Sequence, residues 1–302
     1  MGQLSGAYAT YDDVLRREDL LDYIADVSPD ANYLMTTLKS GSASQTLHEW
    51  GDYNTARPTS NGAKTIEGND ASFSDLTKAT RKNNITQLFQ ETFAVTSTEI
   101  AVNKVNPKDA YAREMNYAMR RIKNNMEYAV LRGTKASGAS GVAREMEGVF
   151  VTVKGNGLAT VRASGTSLSE TEFNAIEVAS WNVTDEFVFD LVLTTGKRKQ
   201  DISKFTAGNT KNIPAEDKRL VNSISVYEGD FGVHEIRAHK DMVTDAVLCV
   251  RKENLGLAYL IRPHHIELGK TGSSRKGMIE AELTAETFGA RAMSLRENYN
   301  LT

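Results

Sequence analysis

The stretch NPKDAYAREMNYAMRRIKNNMEYAVLRG, Asn106 to Gly133, constrains the fold more than any other part of the chain, because its two ends and its interior all read as one helix. Asn106 suits an N-cap, Pro107 suits a first helical position where no N–H is needed, and Asp109 puts negative charge at the positive end of the dipole. At the far end Arg132 complements the open carbonyls, and Gly133 is expected to take the left-handed closing conformation. Between them Tyr111, Met115, Ala118, Ile122, Met126 and Ala129 recur at steps of three and four, which draws one apolar stripe. Arg113, Arg120, Lys123 and Glu127 are expected on a wet, basic face opposite. Such a rod is roughly 40 Å long, wider than the core of a small domain. It is a strut, and the Met-rich stripe is its packing face.

The stretch before it has the opposite character. From Lys39 to Asp75 the chain offers only Leu47, Trp50, Tyr53, Ile66 and Phe73 as large apolar groups, set among Gly, Ser, Thr and Asn. That composition cannot bury enough area to offset the ordering entropy of its own backbone. Leu47, Glu49 and Asp52, then Thr65 to Glu67, alternate like two strands about an Asn61-Gly62 turn, so an extended hairpin arm is expected that a partner chain must cover. The segment ATRKNNITQLFQETFAVTSTEIAVN then suits a strand feeding into the strut.

Beyond the strut, EMEGVFVTVKGNGLATVRA is expected to be a hairpin turning at Asn156-Gly157. Ser169 and Glu172 make a capping box for a helix through Phe173, Ile176 and Trp181. A strand FVFDLVL follows, then a helix TTGKRKQDISKF capped by Thr195, then strands at LVNSISVYE, FGVHEIRAH and DAVLCVRK with a turn at Gly229-Asp230. GLAYLIRPHHIEL and KGMIEAELTAETF alternate as long paired strands joined by GKTGSSRKG, and RAMSLRENY closes the chain. The order describes an α+β fold. From Tyr11 to Leu38 the pattern is only weakly helical and broken at Ser28-Pro29.

Motifs that would carry chemistry fail when tested. Gly155 and Gly157 follow an apolar run, but the third position of a dinucleotide fingerprint is Thr160. Gly269-Lys270-Thr271 matches the end of a phosphate-binding loop, but the glycine required five residues earlier is His264. On strands His234 and His239 face opposite ways, as do the neighbours His264 and His265, which argues against a shared metal. His48 stands apart, no nucleophile elbow or metalloprotease motif occurs, and the expectation is no enzyme, no cofactor and no metal. The lone Cys249 lies in the apolar run AVLCV and reads as a buried thiol in a reducing cytoplasm. A net charge of -3 argues against binding driven by nucleic-acid electrostatics, and no run is long enough to span a membrane.

The order of elements, together with ATRKNNITQLFQETFAVTST, AREMNYAMRRIKNNMEYAVLRG and its following GVAREMEGVF, and SETEFNAIEVASW leading to Lys199-x-x-Ile202-x-x-Phe205, resembles a known family. These are the major capsid proteins of tailed bacteriophages with the Hong Kong 97 type fold, in the branch typified by the phage SU-10 capsid protein; the similarity runs from about Leu47 to Tyr299. The resemblance implies an N-terminal arm over 1–45, an extended loop over 46–85, and a peripheral domain over 86–165 with spine helix 107–132. An axial domain over 166–257 and C-terminal strands over 258–302 returning to the peripheral domain complete it. It further implies a virion shell subunit, assembled in the bacterial cytoplasm, that forms hexamers and pentamers around packaged double-stranded DNA and meets scaffolding, portal and decoration proteins. Trp50, Tyr53, Ile66 and Phe73 would anchor the loop on a neighbour, and Arg120 and Arg121 would face the genome. Some relatives begin with a removable scaffolding domain; this start is too short for one, so the expectation is that it was removed beforehand or that scaffolding is supplied separately. An encapsulin-type compartment shares the fold, and an α+β enzyme working near His264 to Glu267 or a phage adaptor or tail protein are the remaining readings.

Overall fold

The computed structural model describes residues 32–53, 66–70, 78–102, 109–184, 189–205 and 225–300, the side chains of 161–166 and 184 excepted. A single helical turn, α1 (Tyr33–Thr37), leads to β1 (Lys39–Ser42), β2 (Leu47–Asp52), β3 (Thr80–Ile85) and β4 (Gln87–Thr96). After α2 (Ser97–Ala101) come the strut α3 (Ala110–Arg132), α4 (Val149–Asn156), β5 (Leu158–Thr166) and α5 (Glu170–Thr184). Then follow β6 (Leu191–Thr194), α6 (Gly196–Ile202), β7 (Val226–Gly229), β8 (Gly232–Ala238) and β9 (Val247–Val250). The last strands are β10 (Leu255–Leu268), β11 (Ser274–Thr287) and β12 (Ser294–Tyr299).

The strut starts later than its composition suggests. Asp109, with extended backbone, accepts from the N–H groups of Tyr111 at 3.0 Å and Ala112 at 3.1 Å, so the cap is Asp109; Asn106 and Pro107 lie outside the described residues. At the other end Gly133 is not left-handed, with φ -52 and ψ 144. Glycine is needed there for space: a Cβ would stand 2.5 Å from the Met146 carbonyl oxygen and 2.6 Å from that of Ala129. Along the stripe Tyr111, Ala118, Ile122, Met126 and Ala129 are buried, and Met115 is half-buried against the same core.

That core lies between α3 and a sheet ordered β1-β10-β11-β4. β10 and β11 pair antiparallel from Leu255 opposite Thr287 to Leu268 opposite Lys276. The ladder slips between Tyr259 and Ile261 and again between Ile261 and His264, flanking Pro263, which has no N–H to give. β4 runs along β11, and its alternate residues Phe89, Phe93 and Val95 turn inward under the strut.

A second sheet is ordered β5-β12-β9-β6-β8-β7. The apolar runs of β6 and β9 are buried on both faces, which is why they do not alternate. Leu191, Leu193, Leu248 and Val250 join the strut's core, while Val192, Val247 and Cys249 join a second core with Phe173 and Ile176 of α5 and Ile202 of α6. Burial pushes the Cys249 thiol up, so it stays protonated.

Two expected elements differ. Val149–Asn156 is a helix and not the first strand of a hairpin. Its β-branched composition suggests a strand, but Val149, Phe150 and Val153 are the buried set, a helical spacing, and β5 pairs instead with β12. The strand that pairs with β2 is β3; His48 lies opposite Asn84 and Asp52 opposite Thr80, Glu67–Gly68 form a turn where a second arm was expected, and Thr65 lies outside the described residues. Asn61-Gly62 lies outside the described residues.

Candidate functional site

The candidate interface is the β2–β3 ribbon and the joint from which it leaves the body. The joint is built on Asn84, 3% exposed although it sits in a strongly polar strand. Its side-chain nitrogen donates to the carbonyls of Glu147 at 2.9 Å and Ala285 at 2.8 Å. Its side-chain oxygen accepts from the N–H groups of Glu147 and Ile85, both at 2.8 Å. One amide thereby spends its whole bonding capacity tying the ribbon to β11 and to the connection between α3 and α4. His48 adds a 2.6 Å contact to Glu286, and Trp50 lies half-buried 5.8 Å from Phe288 and 5.9 Å from His48, ring to ring. Nothing in the amino-acid pattern marked Asn84, because its partners are backbone groups far along the chain.

Past this joint the character changes. Tyr53 is 61% exposed and Ile66 79% exposed, and neither side chain has an aromatic or hydrogen-bonding partner among the described residues. Phe73 lies outside the described residues. A cavity of about 250 Å³ opens between ribbon and body, lined by Trp50, Asp52, Lys82, Glu147, Asn156 and Arg291, and the buried Trp50 indole N–H has no acceptor among the described residues.

The strut is held at three places. Near its start the Tyr111 hydroxyl meets His265 Nε2 at 3.0 Å, the Phe93 ring lies 5.1 Å away, and the Arg275 guanidinium covers the Tyr111 ring at 3.9 Å while binding Glu267 at 2.8 Å. Gly277 leaves the slot these rings fill. Midway Arg121 pairs with Glu91 at 2.5 Å, the Arg120 guanidinium lies 6.0 Å from the Tyr117 ring, and Arg120 and Lys123 are exposed. Near its end Glu127, expected on the wet face, is 1% exposed. The exposed face of the last turns runs through Asn125, Tyr128 and Arg132, and Glu127 lies off it, among the buried Met126, Val130 and Leu131.

The histidines serve five separate places. His48 meets Glu286, His239 meets Glu127, His265 meets Tyr111 and His264 meets the Arg262 carbonyl. His234 donates from Nδ1 to the Phe189 carbonyl at 2.7 Å, and its Nε2 lies 2.8 Å from Glu177 in poor alignment for a hydrogen bond. Gly269-Lys270-Thr271 sits in the β10–β11 turn with a strand after it, so no helix N-terminus faces a phosphate there.

A family model described as SU10 major capsid protein matches residues 5–295. No curated protein matches the chain. Among solved structures, the capsid asymmetric unit of cyanophage A-1(L) superposes with TM-score 0.69 at 12% identity, over 94% of this chain and 97% of the other. A capsid of a native GTA particle gives TM-score 0.69 at 9% identity, over 98% and 100%. The SrpI encapsulin of Synechococcus elongatus PCC 7942 gives 0.58 at 9% identity, over 95% and 94%. At such identities these likenesses establish the fold, which is of the Hong Kong 97 type, and the family match carries the role. A chain matched almost end to end by that family model, and folded as phage shells are folded, belongs to the SU10 major capsid protein family, the major capsid proteins of tailed phages that associate with their own copies to build the shell of the virion.

Proposed function

We propose that the chain forms the hexamers and pentamers of an icosahedral or prolate head around double-stranded DNA, and that residues 46–85 lie as an extended loop across a neighbouring subunit. The observation that carries this is the contrast along the ribbon: a root clamped by Asn84 and His48, and beyond it Tyr53 and Ile66 left open to solvent. Exposed apolar groups at the end of a well-anchored arm gain most by burial on another copy. Residues 1–45 would be the N-terminal arm, 86–165 the peripheral domain, 166–257 the axial domain, and 258–302 the strands that return to the peripheral domain. Arg120 and Arg121 would face the DNA, and a phosphate would compete with Glu91 for the Arg121 guanidinium. Assembly in the host cytoplasm, with scaffolding, portal and decoration proteins meeting the same shell, completes the reading.

Electron microscopy and light scattering of the protein expressed alone test it. The wild type is expected to give shells or capsomer rings, and the double variant Tyr53→Ser, Ile66→Asp a folded particle of low mass. Shells formed equally well by the variant would overturn the loop assignment. An encapsulin-type compartment is the second reading because the fold is shared; shells purified from infected cells that hold protein cargo and no nucleic acid would favour it.

A further inference from the structure

The buried end of the strut joins two parts of the chain that lie about two hundred residues apart, through the single carboxylate of Glu127. Glu127 accepts from the N–H groups of Leu34 and Met35, each at 2.8 Å, at the start of α1. The same carboxylate, through the oxygen that holds Leu34, meets His239 Nε2 at 2.9 Å. His239 Nδ1 accepts from the Asp241 N–H at 3.2 Å, so that nitrogen carries no hydrogen and Nε2 must be the donor. Glu127 is thus satisfied by three donors and by no cation, and it loses a partner if either side withdraws.

The two sides are each light structures. On one, α1 and β1 form a strap: a single turn anchored by Leu34 and Leu38, then four exposed residues pairing in parallel with β10. On the other, His239 opens the connection between β8 and β9, where Met242 N–H bonds back to the His239 carbonyl at 3.4 Å. The strap also touches the face of β8 that carries Glu235 and Arg237: the Tyr33 hydroxyl donates to Glu235 at 3.2 Å, and the Arg237 guanidinium lies 5.1 Å from the Tyr33 ring.

We propose that Glu127 is a coupling residue that makes the seating of the N-terminal strap and the setting of the β8–β9 connection depend on each other, so that a neighbour pulling on one loosens the other. Coupling of this kind is reciprocal: whatever the strap does to the connection, the connection does to the strap. A carboxylate that serves both sides transmits the change because a buried acceptor left short of donors is costly.

Hydrogen exchange read by mass spectrometry on the purified full chain tests it, with each variant placed on one side only. His239→Ala is expected to speed exchange at Leu34 and Met35 by roughly tenfold, the equivalent of about one hydrogen bond. Leu34→Ala is expected to speed exchange at Asp241 and Met242 in the same way, with the β10–β11 ladder unchanged in both. Glu127→Gln, the mildest change at the centre, is expected to loosen both segments together. Loosening confined to the segment that carries each substitution would overturn the proposal, and so would uniform loosening of the whole chain. If an alanine variant does not fold, the milder His239→Gln or Leu34→Val is read in its place by the same criterion: faster exchange in the opposite segment supports coupling, and loosening confined to its own segment refutes it.

Discussion

Gly148→Ala places a methyl group where two stretches of backbone already touch. The new Cβ would stand 2.6 Å from Gly133 N, 2.8 Å from Arg132 N and 2.8 Å from the Leu131 carbonyl carbon. All three are main-chain atoms at the end of the strut, so none can move away by changing rotamer. Overpacking of this kind costs about 1–3 kcal/mol. Separating the strands of chain also weakens the 2.9 Å bond from Gly148 N–H to the Gly133 carbonyl, worth about 1 kcal/mol. Together these give a loss of roughly 2–4 kcal/mol. Gly155→Ala is the control. It lies near the end of the same helix α4, with nothing within 4 Å of the added Cβ, and should gain up to about 0.5 kcal/mol from reduced chain entropy. Urea unfolding of the unassembled protein, followed by the fluorescence of its two tryptophans, measures both. A Gly148→Ala variant within about 0.5 kcal/mol of wild type, or a Gly155→Ala variant that falls as far, would show that the contact is not rigid.

Asn84→Ala leaves the Glu147 N–H and carbonyl and the Ala285 carbonyl without their partner, and is expected to lower stability by about 2–3 kcal/mol; the same urea assay reads it, with shell formation falling as the ribbon loses its root. Glu235 gives a pH dependence. The Lys252 ammonium, followed by the Arg237 guanidinium, holds its carboxyl down to about 2 from an ordinary value near 4.5. Because the folded value is depressed, the stabilisation is present above pH about 4.5 and is lost as pH falls towards 2. With a quarter of the side chain in solvent, it amounts to about 1–2 kcal/mol after screening. Stability measured against pH for wild type and Glu235→Gln should differ by that amount near neutrality and converge in acid; parallel curves down to pH 2 would refute the assignment.

The parts of this fold that were legible in the sequence are those governed by neighbours in the chain. The stripe from Tyr111 to Ala129 follows from helical spacing, and the β10–β11 pair follows from two alternating runs around GKTGSSRKG. The helix opened by Ser169 follows from a local cap, with Ser169 Oγ accepting from the Glu172 N–H at 3.3 Å. What was not legible depends on partners distant in sequence. The run VFVTV becomes a helix because a core lies on one side of it and β5 is already taken by β12. Asn84 and Glu127 look like surface residues because their partners are backbone groups 63 and 93 positions away. Gly133 was expected for its conformational freedom, but what it supplies is room.

The arm's root and the strut's end converge on residues 146–148. Met146 N–H bonds to the Gln87 side chain, Glu147 gives both its N–H and its carbonyl to Asn84, and Gly148 packs on Gly133. The direction in which the ribbon leaves the body and the axis of α3 therefore meet at three consecutive residues. A subunit that must reach a neighbour at a defined angle needs such a common reference, because an error at the root is multiplied along the arm. It follows that Gly148→Ala should damage assembly more than its loss of stability alone would. Comparing it with Ile122→Ala, a cavity in the strut's stripe costing about 2–5 kcal/mol and remote from the root, separates the two effects. At matched stability the Gly148 variant should give fewer closed shells by electron microscopy, and equal yields would mean that the ribbon takes its bearing from Asn84 and β11 alone.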